Sequence, residues 1–106
     1  MKLFIISNEK GINATAEYNP FEKQFIVLKG SIVSESISNA PTFGGAKAVK
    51  KYRDKYVVDR VVKEDVYFKS SSTAGNFVTG RSTDGPSTWK GENGKTMKFI
   101  LSEKKE

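Results

Sequence analysis

Leu3-Phe4-Ile5-Ile6-Ser7-Asn8-Glu9-Lys10-Gly11-Ile12-Asn13-Ala14-Thr15-Ala16-Glu17-Tyr18 changes its periodicity once, and that change decides the fold. Leu3 to Ile6 is a short apolar run of the kind a buried strand shows. From Ile12 onward apolar and polar residues alternate. Ile12, Ala14, Ala16 and Tyr18 form a dry face, and Asn13, Thr15, Glu17 and Asn19 a wet one. Asn8 to Gly11 supplies turn chemistry between the two segments, so they are expected to pair as a hairpin. Further out, Asn19-Pro20 ends the second strand. Gln24 to Leu28 then makes a third, carried by Phe25, Ile26 and Val27. Lys29-Gly30-Ser31 interrupts it as a bulge would, before Ile32 and Val33 resume. Ser34 to Pro41 is polar loop.

The period lengthens after Thr42. Val49, Tyr52 and Tyr56 fall at i, i+3 and i+7, a stripe that points a helix of about residues 43–56 at a core. Val57 to Val62 and Asp65 to Phe68 read as two short strands or one bent strand. Ser70 to Thr73 offers hydroxyls to cap a short helix over about 71–79, and Gly80 ends it. Gly75 inside that helix costs roughly 1 kcal/mol against Ala, unless other backbone packs closely there. Glu92-Asn93-Gly94 is a turn, and Thr96 to Leu101 is expected as a closing strand. These elements make one α+β domain over residues 1–101, an antiparallel sheet of about five strands with one longer and one short helix. A charged tail, 102–106, follows.

The chain has 106 residues, a formal charge of +6 and a pI near 9.6, which leaves room for one core. It contains neither Cys nor His. Disulfides, Cys-ligated zinc, thiol nucleophiles and the commonest general base are thereby excluded, and no metal or cofactor is expected. Gly44-Gly45-Ala46-Lys47 has neither the spacing nor the Ser/Thr of a phosphate-binding loop. Glu64 and Asp65 are neighbours on a strand and point opposite ways. Ser70 to Ser72 have no His partner and no nucleophile elbow. The expectation is a non-enzyme with no small-molecule substrate. The opening apolar run of four falls short of a signal segment, roughly seven to fifteen residues. No stretch approaches the ~18 apolar residues of a membrane span. The cytoplasm is the expected compartment.

Charge is unevenly spread. Residues 1–46 are neutral in sum, whereas 47–69 carry eight basic and four acidic residues, net +4, and 70–106 carry net +2. Lys47, Lys51 and Lys55 repeat every four residues along the first helix, with Lys50 and Arg53 beside them. Like charges at that spacing cost a few tenths of a kcal/mol each unless an anion meets them. Phosphate is the obvious anion, because Lys and Arg contacts dominate non-specific nucleic-acid affinity. The plainer reading is a solvated face, with Asp54 and Asp59 relieving the repulsion. Tyr52 and Tyr56 belong to the core stripe. Arg81, at a helix end among hydroxyls, either forks onto a phosphate or base edge or caps the helix. Trp89 is a large amphipathic anchor that packs over the short helix.

The segment from Ser70 to Lys90, with Gly94-Lys95-Thr96, resembles a motif of the form S-P-S-x-A-A-x-x-V-x-G-R-S-x-N-G-W-x-x-W-K followed by G-K-T. Phe25-Ile26-Val27-Leu28-Lys29-Gly30-Ser31 is similar to that family's upstream strand. The family is a bacterial domain of unknown function found at the C-terminus of GIY-YIG nuclease-like proteins. It is similar in turn to the RAMA domains of restriction and methylase systems, which are proposed to bind DNA. The resemblance covers roughly residues 11–101 and singles out Ser70, Ser72, Gly80, Ser82, Gly85 and Trp89 as motif positions. Ser71 stands for the Pro, Asp84 for the Asn and Pro86 for the first Trp. The lost Trp removes a stacking residue from the turn, and Asp84 adds a negative charge there. Together these readings lead to a nucleic-acid-binding module, with DNA ahead of RNA, in a restriction, repair or mobile-element setting. Lys47, Lys50, Lys51, Arg53 and Lys55 would contact phosphates, and Arg81 and Lys90 would add selectivity. The alternative is a protein-interaction or structural module.

Overall fold

The computed structural model describes residues 1–103. Its elements run β1 (Lys2–Ser7), β2 (Ile12–Asn19), β3 (Gln24–Val27), α1 (Ala46–Tyr56), β4 (Val57–Val58), β5 (Val61–Val62), β6 (Val66–Phe68), α2 (Ser71–Thr79), α3 (Gly85–Thr88) and α4 (Met97–Glu103). The α+β class is as the sequence reads. The expected hairpin forms, with β1 against β2 from Lys2 opposite Glu17 to Ser7 opposite Ile12. The sheet has four antiparallel strands in the order β1-β2-β3-β6, and β4 and β5 form a separate two-residue ribbon.

The interruption at residues 29–31 behaves as a bulge. Leu28 donates to the Thr15 carbonyl, and pairing with β2 resumes only at Ile32, which exchanges both backbone bonds with Asn13. Ser31 fills the gap, its buried hydroxyl accepting from the Thr15 N–H at 3.0 Å and donating to the Thr15 carbonyl. A side chain thus replaces a missing ladder partner. Ile32 also bridges to Val61, which attaches the β4–β5 ribbon to the sheet. The ribbon turns through Asp59 and Arg60, both at positive φ, the two-residue geometry that matches strand twist.

One sheet face is dry. Leu3, Ile5, Ala14, Ala16, Phe25, Val27, Val66 and Phe68 meet Ala74, Phe77 and Val78 of α2, with Trp89 at the centre, 0% exposed. The opposite face carries Ile6, Ile26 and Tyr67, with Ile6 and Tyr67 exposed. α1 begins at Ala46 rather than near 43, because buried Phe43 anchors a turn whose carbonyl receives the Ala46 N–H.

The expected closing strand over Thr96–Leu101 is instead a helix. Thr96 makes one bridge to Lys90, and its hydroxyl then accepts from the Phe99 N–H at 3.2 Å, capping α4. Met97, Ile100 and Leu101 then lie at helical spacing and face the core. The apolar run suits either period, and the helix combines this cap with those core contacts. Ser102 and Glu103 of the expected tail belong to α4; 104–106 lie outside the described residues. Among the described residues no helix is long and apolar enough to cross a membrane.

Candidate nucleic-acid interface

α1 is an amphipathic helix with an unusual charge order. Val49 is its buried residue, and Tyr52 and Tyr56 pack half-buried against the core. Tyr52 lies 5.0 Å from the Phe68 ring and stacks on Tyr56 at 6.1 Å. The stripe read from the sequence is therefore core-facing. Lys47, Lys50, Lys51 and Lys55 are exposed. Lys50 is held by Asp54 at 3.1 Å, an exposed i,i+4 pair of the sort worth about 0.3–0.5 kcal/mol. Lys55 lies over the Tyr56 ring at 5.1 Å. Lys47, Lys51 and Lys55 take part in no ion pair among the described residues. The first turn of α1 holds no acid and its N-cap, Gly45, offers no side chain, so Lys47 faces the positive end of the helix dipole.

Arg53 does a different job. It lies two residues past Lys51, roughly 200° round the helix, on the side facing the end of α2. Its guanidinium donates to the carbonyls of Phe77 (3.0 Å), Val78 (3.2 Å) and Ser34 (2.8 Å), and to the Ser34 hydroxyl (2.8 Å). The end carbonyls of α2 and the loop after β3 are thereby tied to α1. Burial, and then the charge of Arg60, lowers its pKa to about 10, so it stays protonated near neutrality. Arg53, expected to contact phosphates, instead commits its guanidinium to these internal acceptors. Arg60 is used similarly, donating to the carbonyls of Lys10, Gly11 and Val33. The sequence gives no local signal for either role, since both depend on carbonyls 19 to 50 residues away.

Arg81 is exposed, just beyond α2, beside a polar hollow of about 410 Å³ that it shares with Glu9, Lys10, Glu35 and Ser36. That mixed-charge surface lies on the Arg53 side of α1, away from the lysine row. Lys90 is farther off. Its backbone bridges Phe4 on the outer edge of β1, whereas α1 packs over β6 at the other end of the sheet. Four strand spacings, about 19 Å, separate them. The structure thus gathers Lys47, Lys51 and Lys55 and does not bring Arg53, Arg81 or Lys90 to them.

The motif residues build a joint between helices. Ser70 caps α2 by accepting from Thr73 N–H at 3.1 Å, and Gly80 ends the helix in the left-handed region at φ 72°. The Ser72 hydroxyl accepts from the Gly85 N–H at 2.9 Å, and the Trp89 indole donates to the Ser71 carbonyl at 3.0 Å. A Cβ on Gly75 would lie 2.5 Å from the Thr83 hydroxyl, and one on Gly85 would overlap the Ser71–Ser72 backbone. The close packing that excuses Gly75 is present. Ser82 is exposed.

Two cavities of about 590 Å³ occupy opposite sheet edges. One, beside β1, is lined by Phe4, Ile6, Thr88, Lys90 and Glu92. The other, beside β6, is lined by Lys23, Tyr52, Tyr67, Phe68, Lys69 and Thr73. The second borders α1 through Tyr52. Sequence reasoning missed it, because its walls come from four separate segments.

Comparison with curated proteins finds no match, and comparison with solved structures finds none. A family model does match, over residues 4–101, described as a domain of unknown function. That span takes in the sheet, the lysine-bearing helix and the Ser70–Trp89 joint alike, and the chain belongs to this family, the domain of unknown function DUF4357.

Proposed function

We propose that this chain is a non-catalytic nucleic-acid-binding module that acts in the cytoplasm and meets DNA phosphates through the exposed face of α1. The observation that carries this reading is the row of Lys47, Lys51 and Lys55, exposed on one helix face and in no ion pair among the described residues. Beyond the seat of Lys55 over the Tyr56 ring, this row of like charges forms no ion pair among the described residues and costs helix stability, so an external anion gives it a purpose. The resemblance of the Ser70–Thr96 segment to domains that follow nuclease-like modules and to RAMA domains supports a DNA context. With Arg53 committed to α2, the contacting set is Lys47, Lys51 and Lys55, flanked by Lys50.

An amide-shift titration with a short DNA duplex at low and at physiological salt tests the reading. Shifts should cluster on residues 47–55. Three neutralised phosphates predict a slope of log K against log salt near −2.7, since each contributes about −0.9. An unchanged spectrum at low salt would refute it. A second reading, a protein-interaction module, draws on the open sheet face and on Phe21, 96% exposed at the β2–β3 turn. An apolar interface of that kind would respond far less to salt.

A further inference from the structure

Beside the lysine row, the cavity at the free edge of β6 joins aromatic walls to cations. Tyr52 and Tyr67 line it, Phe68 forms its floor, and Lys23, Lys69 and Thr73 stand around it. Its volume of about 590 Å³ falls within the roughly 300–1,000 Å³ typical of ligand sites. Tyr67 is 55% exposed although it lies in a strand of the main sheet. The backbone there is also open. Leu28 donates to Thr15, so alternate residues of β3 face β2, and Phe25 and Val27 take the ladder bonds to Phe68 and Val66. The Tyr67 N–H and C=O therefore point out of the sheet, next to the cavity. Lys23 and Lys69 form no ion pair among the described residues, and Glu22 is the single carboxylate on the rim. Tyr52 is both a wall of the cavity and a residue of α1, with Lys55 three positions on along the helix. The cavity thus borders, through Tyr52, the helix that carries the lysine row.

We propose that this cavity receives an unpaired nucleobase, stacked on Tyr67, while Lys69, Lys23 and the α1 lysines hold the flanking phosphates. The ligand class is then single-stranded nucleic acid, or a strand with a splayed base, in preference to uninterrupted duplex. Aromatic stacking suits any base, and a cation-lined path beside it follows the backbone. The inference rests on the nucleic-acid reading of α1 and adds to it the strandedness of the ligand. An extended peptide pairing with the open β6 edge would use the same backbone groups, but it would not need the surrounding lysines.

The test compares a fluorescent oligothymidylate with a hairpin duplex of equal charge at one low salt concentration. The full chain is used as wild type, as Tyr67→Ala, as Tyr67→Phe and as Lys47/Lys51/Lys55→Glu. The single strand should bind wild type at least tenfold tighter than the duplex. Tyr67→Ala should lose about tenfold on the single strand and little on the duplex, in line with about 1–3 kcal/mol for a stacked base. Tyr67→Phe, which keeps the ring, should bind normally, and unchanged thermal melting of both Tyr67 variants excludes a folding effect. Equal affinity for the two nucleic acids, unmoved by Tyr67→Ala but lost in the triple variant, would overturn the cavity and leave the α1 reading intact. Failure of both nucleic acids to bind would overturn both. A titration with an unstructured acidic peptide closes the remaining case. If it shifts residues 23, 67 and 69 where the oligonucleotide does not, the cavity is a protein-docking edge and the proposal falls.

Discussion

Lys47 occupies the second position of α1, where a cation opposes the exposed N–H groups of the first turn and stands four residues from Lys51. Lys47→Glu reverses both penalties, favouring the dipole and creating a Glu-to-Lys pair at i,i+4. Thermal or urea unfolding should show the variant more stable by about 0.5–1 kcal/mol, while DNA affinity falls. Stability and binding moving in opposite directions would mark Lys47 as a residue kept for a ligand. Arg53 tests the converse. Arg53→Lys keeps the charge, but an ammonium cannot reach the Ser34, Phe77 and Val78 carbonyls together. The expected result is a loss of about 2 kcal/mol or more in urea unfolding, with DNA affinity of the folded variant within twofold of wild type. A large affinity loss without a stability loss would return Arg53 to the interface.

Among the elements, the joint of α2, α3 and Trp89 depends on backbone approach more than on side-chain chemistry. Gly75→Ala gains about 1 kcal/mol of helix propensity but drives a methyl against Thr83. Gly85→Ala drives one against main chain, which cannot rotate away. Urea midpoints should therefore rank Gly85→Ala as the more damaging, by about 2–3 kcal/mol, with Gly75→Ala costing about 1 kcal/mol net. Gly44→Ala, with nothing within 4 Å of the added methyl, should be close to neutral. α4 makes a different point. Met97 to Leu101 satisfies a strand pattern and a helix pattern about equally, and the helix has both a Thr96 cap on Phe99 and the core contacts of Met97, Ile100 and Leu101.

Across the whole molecule, the basic residues divide by location. The lysine row and the β6 cavity share one side, while Lys90 lies across the sheet on the edge of β1. Lys47, Lys51 and Lys55 changed together to Glu should lower duplex affinity by more than tenfold at low salt and leave the melting transition cooperative. Lys90→Glu, one charge reversed at the far edge, should change affinity by less than twofold in the same titration. Comparable losses from the two would show that net charge alone, not the α1 face, drives association.

Local chemistry determined much of this protein before any tertiary contact. Alternation from Ile12 to Tyr18 set the β2 faces, the Val49–Tyr52–Tyr56 stripe oriented α1, and Ser70 and Gly80 bounded α2. Each of these signals acts within one or two turns of chain, so the sequence carries it openly. The lysine row is legible for the same reason, because i, i+4 spacing fixes a helix face wherever the helix goes. Tertiary structure alone decided what depends on distant partners. Arg53 reads as one more cation until the carbonyls of Ser34, Phe77 and Val78 are placed around it. Tyr67 and Lys69 become walls of a cavity only once β6 is the last strand of the sheet and α1 crosses beside it. Lys90 lies far from the lysine row because the chain crosses to the outer edge of β1 before reaching it. A pattern of spacing encodes which way a side chain points from its own element. Which element lies opposite is set by how the whole core packs.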